Sequence, residues 1–241
     1  MIKVLFLASN PYEDDAHLRL DREMSAIDAA IQRGRGRDAF DLRPHFAVKI
    51  RELQKFLLRH EPDVVHFSGH GDGHGGILVE GEDGNAHEVP REALNELFGI
   101  LEHPPRIVVL NACDSLPNAE AAGDAVDYTI GMNSPVEDSA AAVFAEFFYA
   151  ALAEGQTVDR AFRLGVQQLR MEQNPQAGIP TLHVRPGTDT AVALVTTDVP
   201  AAAGPPLVIE NRMGEGDPEP GMSQTYTWRD ESGQLVTFRN G

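Results

Sequence analysis

The chain of 241 residues holds one cysteine, Cys113, so no disulfide can form within it and nothing in its composition calls for an oxidising compartment. A cytoplasmic location, where a free thiol stays reduced, is expected. Long apolar runs are also missing: none approaches the ~20 residues of a membrane-spanning helix, which excludes a membrane protein of that kind. The apolar start, Met1 to Ala8, is too short for a secretory leader and runs at once into Asn10-Pro11-Tyr12-Glu13-Asp14-Asp15, so it reads as a buried strand. Positive charge is scarce, with 20 Lys and Arg against 37 Asp and Glu and a net charge of -17. That balance repels phosphate backbones and anionic lipid heads, which argues against nucleic acid and membrane surfaces as partners and favours neutral or basic ones.

What is present is enough for a real core. An apolar content of 42% over this length suits one large domain with an appendage. Up to about residue 185, short β-branched runs alternate with helical periodicity, the pattern of strand-helix-strand units on a mainly parallel sheet. Strands are expected at Lys3 to Ala8, Phe40 to Phe46, Val64 to Ser68, Ile107 to Asn111, Tyr128 to Met132 and Thr181 to Val184. Helices are expected where apolar residues recur every three or four positions: Leu20, Met24, Ile27 and Ile31; Ile50, Leu53 and Leu57; Leu94, Leu97, Phe98 and Leu101 after Pro90; Val143 to Leu152; and Val158 to Leu169. Gly76 to Glu80 and Ala86 to Val89, around Glu82-Asp83-Gly84-Asn85, read as a β-hairpin beside the sheet. An apolar run, Ala191 to Val195, closes the compact part. The expected organisation is a domain over residues 1–198, a Pro/Gly-rich linker over 199–224 and a β-hairpin over 225–241 that holds the only tryptophan, Trp228.

In open parallel sheets, function gathers beyond the carboxyl ends of the strands. Two of these ends deliver a thiol and an imidazole: Cys113 follows the strand through Asn111, and His70 follows the strand through Ser68, inside Gly69-His70-Gly71. A lone cysteine after a buried strand is ordinarily a small apolar residue, but its pairing with this histidine makes it a nucleophile candidate. A thiol needs a neighbouring base to ionise near neutral pH, and His70 is that base. Backbone N–H groups of Gly71 and Cys113 are placed to hold an oxyanion.

Ser68-Gly69-His70-Gly71 followed by Leu110-Asn111-Ala112-Cys113-Asp114-Ser115 resembles the CHAT branch of the caspase-like (clan CD) cysteine peptidases. The likeness extends from Lys3 to Pro11 and Leu18 to Asp21 through Ile130-Gly131-Met132 and the alanine-rich helix after it, roughly residues 1 to 185. It implies a caspase-like sheet flanked by helices on both faces, and a cysteine endopeptidase with His70 as general base and acid, Cys113 as nucleophile, and the Gly71 and Cys113 amides as oxyanion hole. It requires no cofactor and implies a protein substrate, a bacterial defence or suicide pathway, and a latent state switched on by a sensor or another protease. The run Asn111-Ala112-Cys113-Asp114-Ser115 departs from the Gln-Ala-Cys-Arg-Gly of animal caspases, so aspartate specificity does not carry over. The residue two before the cysteine, here neutral Asn111, lines the substrate pocket in several such peptidases. With Asp14, Asp15, Asp114 and Asp138 at the same edge and Met132 and Asn133 as a wall, a basic residue before the scissile bond is expected. The rival reading is a silent caspase-like binding or scaffold module.

Other motifs have blander explanations. His66, His70 and His74 span a strand and a glycine-rich loop, where a spacing of four brings no common face, so no metal site is expected. Gly71-Asp72-Gly73-His74-Gly75-Gly76 fits a dinucleotide pattern but precedes a strand instead of a helix. Arg33, Arg35 and Arg37, in a glycine-interrupted loop, and Arg212, in the linker, are exposed basic positions where processing by a protease is conceivable.

Overall fold

Strict alternation along the first strand divides the molecule in two. In the computed structural model, which describes residues 1–11, 19–71, 76–112, 115, 125–195, 224–229 and 235–240, β1 (Ile2–Ser9) turns Val4, Phe6 and Ala8 to one face and Leu5 and Leu7 to the other, and each set enters a separate core cluster. A sheet buried on both faces needs helices on both. On the Phe6 side lie α1 (Leu20–Arg33), α4 (Asp138–Ala153) and α5 (Val158–Met171), with Ile27, Ile31, Phe144, Phe148, Val166 and Leu169 in the shared core. On the Leu5 side, α2 (Ile50–His60) and α3 (Arg91–Ile100) contribute Leu53, Leu57, Leu94 and Phe98.

The remaining strands of the main sheet are β2 (Phe40–His45), β3 (Val64–Gly69), β6 (Ile107–Asn111), β7 (Tyr128–Met132) and β8 (Pro180–Val184), in the order β2-β1-β3-β6-β7-β8. Every pairing is parallel except β7 with β8. The hairpin expected from Gly76 to Val89 forms as β4 (Ile77–Glu80) and β5 (Ala86–Val89), with Gly84 at φ 81° in its turn, a backbone state glycine adopts without strain. The apolar run Ala191 to Val195 ends the described part of the first unit, with Ala193 in an isolated bridge to Thr157 and Val195 buried.

Parity along β3 and β6 decides what meets at the carboxyl edge. Val64, His66 and Ser68 face the α1 side, as do Ile107, Val109 and Asn111, and in register Ser68 stands beside Asn111. Thus one face of two adjacent strands changes from aliphatic to polar over their last turns of pleat. Gly69 completes the edge, since a Cβ there would lie 2.6 Å from the Ser9 carbonyl oxygen of β1. The described chain separates into two compact units, residues 1–197 and 198–241, and the second contains β9 (Gln224–Arg229) paired antiparallel with β10 (Leu235–Asn240).

Candidate active site

His70 leaves the end of β3 and is held from two directions. Its backbone carbonyl accepts the Leu78 N–H of β4 at 2.9 Å, and its Nε2–H is accepted by Asn10 Oδ1, just past β1, at 3.0 Å. An imidazole that donates from Nε2 carries its lone pair on Nδ1, the state required of a general base. Gly71 follows in an isolated antiparallel bridge with Ile77. Asn10 is therefore the orienting partner of the histidine, a role the sequence does not single out.

Beside His70 is a cavity of about 40 Å³ lined by Arg19, Leu20, Glu23, Ser68, Gly69, His70, Asn111, Ala112, Val136, Asp138 and Ala141. Ala112, the residue before Cys113, is on its lining. Ser115, fully buried, donates its hydroxyl to the Leu110 carbonyl at 2.7 Å and accepts the Met132 N–H at 3.0 Å, tying the end of β6 to β7. Cys113, Asp114, Asp14, Asp15 and Arg212 lie outside the described residues.

On the cavity lining sits a polar network centred on Glu23, a residue that the expected site omits. Glu23 of α1, 5% exposed, accepts from His66 Nε2 at 2.9 Å and from Asn111 Nδ2 at Oε1, and from the Ser68 hydroxyl at Oε2. His66 Nδ1 meets the Tyr149 hydroxyl at 3.2 Å. Burial alone would raise the Glu23 carboxyl's pKa; the hydrogen bond and charge of His66, with the bonds from Ser68 and Asn111, outweigh it and hold the pKa below the ordinary value. Burial, reinforced by Glu23, pushes the Tyr149 hydroxyl up. The signal for Glu23 is readable in retrospect: it lies within the stripe of Leu20, Met24, Ile27 and Ile31, an acid on the apolar face of an amphipathic helix.

The other expected residues are dispersed. Asn111 and Asp138 join His70 at the cavity. Met132 is fully buried in the core, and Asn133 turns outward to donate from Nδ2 to the Gly178 carbonyl at 3.0 Å; neither is among the described lining, where Val136, Asp138 and Ala141 from the start of α4 form the wall. Arg33, Arg35 and Arg37 are exposed, but Arg33 ends α1 instead of lying in a loop, and the turn after it is fastened to the end of α4, with Arg35 Nε 2.6 Å from Glu154 Oε2 and the Gly36 N–H on the Ala153 carbonyl at 2.8 Å.

An α/β sheet that gathers a histidine and a small cavity at its carboxyl edge, with helices on both faces, defines the caspase-like fold class. The chain matches the model of the CHAT domain over residues 18–229 and belongs to that family. A probable protease of Gillisia limnaea is 29% identical over 161 residues, 65% of this chain and 28% of that protein. A Roc-COR-CHAT protease from an unknown prokaryotic organism is 24% identical over 184 residues, 73% of this chain and 17% of that protein. The chain thus spans less than a third of either curated relative. Among solved structures, a secreted C11 cysteine protease from Bacteroides thetaiotaomicron superposes with a TM-score of 0.51 at 12% identity, covering 70% of this chain and 59% of the other. The Arg-specific cysteine proteinase gingipain R superposes with a TM-score of 0.54 at 10% identity, covering 79% and 47%. These likenesses show the shared fold.

Proposed function

We propose that this domain is a caspase-like cysteine endopeptidase with a Cys113/His70 dyad. The observation that carries the reading is His70 at the rim of the cavity, its Nε2 3.0 Å from Asn10 Oδ1, with Ala112, the neighbour of Cys113 in sequence, lining the same cavity. In the proposed reaction Nδ1 takes the Cys113 thiol proton and the thiolate attacks the peptide carbonyl carbon. The oxyanion rests on the Gly71 and Cys113 amides, and His70 returns the proton to the departing amine. Water then adds to the acyl-enzyme thioester, His70 again moving the proton, and releases the carboxylate product and free thiol.

Cys113→Ala and His70→Ala should each abolish cleavage of a protein substrate, followed as new peptide termini by mass spectrometry, while circular dichroism stays that of the parent chain. Turnover retained in either variant removes this mechanism. Failure of a thiol-directed peptide electrophile to label Cys113 would favour the scaffold reading instead.

The proposed preference is for a basic residue before the cut, supported by the carboxylate of Asp138 on the cavity wall. A role as an effector in bacterial defence or suicide is also proposed, in the cytoplasm, where a single unpaired cysteine stays reduced. The name of the Roc-COR-CHAT relative, a much longer protein, supports pairing of such a domain with further modules. Activation by a partner or by proteolysis predicts a freshly made chain that is inactive alone, and constitutive cleavage by it would overturn latency. Processing at Arg33, Arg35 or Arg37 would require the fastened backbone to leave α4, which makes a docked partner the better-supported trigger.

A further inference from the structure

We propose that Glu23 sets substrate specificity: its carboxylate, together with Asn111 Oδ1 and Asp138 around the same cavity, receives the lysine or arginine side chain that precedes the scissile bond. This rests on the peptidase reading above and names the groups that give it selectivity.

The acceptor inventory supports the assignment. A carboxylate offers about four lone-pair positions. His66 and Asn111 occupy Oε1 and Ser68 occupies one position at Oε2, so Oε2 keeps capacity for one more donor. Asn111 is 6% exposed, and its Oδ1 is buried with no hydrogen-bond partner among the described residues. Glu23 itself sets that arrangement, because it engages Nδ2 and leaves the carbonyl end of the amide unmatched. A buried acceptor without a donor is costly, and a head group carrying several N–H donors removes that cost.

The charge on the lining agrees. Asp138 Oδ2 accepts the Arg19 N–H at 3.0 Å, which holds a second carboxylate at the wall. The one cation on the described lining, Arg19, directs Nε to Asp21 Oδ1 at 3.4 Å on the exposed side, so the cavity keeps an acidic balance. An aspartate or glutamate side chain there would set carboxylate against carboxylate and leave Asn111 Oδ1 facing another acceptor.

The experiment compares rates of Cys113 labelling in the full chain by three peptidyl acyloxymethyl ketones that differ only beside the warhead, carrying lysine, citrulline or glutamate. Labelling of the wild type should be about 30-fold faster with lysine than with citrulline, and slowest with glutamate. In Glu23→Gln the lysine-to-citrulline ratio should fall to near one, and Asp138→Asn should lower the ratio part of the way. An equal loss with all probes would make Glu23 a positioning residue only and overturn the proposal. Where Glu23→Gln does not fold, the wild-type ratio and Asp138→Asn decide: no lysine preference, or a ratio unmoved by Asp138→Asn, overturns it. Agmatine binding to Cys113→Ala, measured by calorimetry, separates the two readings. Labelling by no probe with agmatine bound through Glu23 overturns the dyad and supports the pocket, whereas no agmatine binding overturns the pocket whatever the thiol does.

Discussion

Glu23 is a buried acid whose stability depends on its neighbours. Removing one member of a buried ionic network leaves the other charge without compensation, at a cost of about 3–5 kcal/mol. His66→Ala should therefore lower unfolding stability by roughly that amount in urea titrations, far more than removal of an exposed pair such as Arg163 with Asp159. The lowered pKa of Glu23 also has a defined pH signature. Because the unfolded chain binds this proton more readily than the folded one, the stabilisation is complete above the ordinary glutamate value of about 4.3. It is then lost as pH falls through the lower folded value. Between pH 6 and pH 3 the stability of the wild type should fall more steeply than that of Glu23→Gln, as measured by urea midpoints at each pH; parallel curves would show that the carboxyl is not held ionised.

At the scale of elements, the site is a consequence of parallel strands ending together. β1, β3 and β6 finish at Ser9, Gly69 and Asn111, and the close approach of β3 to β1 places His70 within reach of Asn10. Gly69→Ala would drive its Cβ toward the Ser9 carbonyl, now 2.6 Å from that position, and the backbone rather than a flexible side chain would have to yield. The expected result is a loss of about 1–3 kcal/mol by thermal or urea unfolding, with peptidase turnover reduced more than substrate binding because His70 moves with the strand end. Element identity was largely legible in the sequence: short continuous apolar runs mark β1, β3 and β6 as strands buried on both faces, and period 3.6 marks α1, α2 and α5. The run Ala191 to Val195 did not reveal that only Val195 of its five residues would be buried while Val192 stands exposed, because apolar composition does not say which residues a neighbouring element covers.

For the whole molecule, the two cores on either face of the main sheet are assembled, among the described residues, from residues up to Val195. A chain cut after residue 198 should accordingly unfold in one cooperative transition at nearly the temperature of the main transition of the full chain, measured by calorimetry. A loss of more than a few degrees would show that β9 and β10 contribute to the first unit's stability. The acidic surface acts at the same scale: at a net charge of -17 the chain attracts basic partners at low salt, in line with the basic substrate preference proposed for its cavity.

Residue order alone determined the alternation of strands and helices and the placing of Gly69-His70-Gly71 and Cys113 after two apolar strands, since local periodicity records which side chains are shielded from water. Only the tertiary structure decided that Glu23 would meet His66, Ser68 and Asn111, residues 43, 45 and 88 positions away, and that α4 instead of the end of β7 would wall the cavity. Those encounters follow from strand order and helix packing, and the spacing of apolar residues within one element carries no information about which other element will cover it.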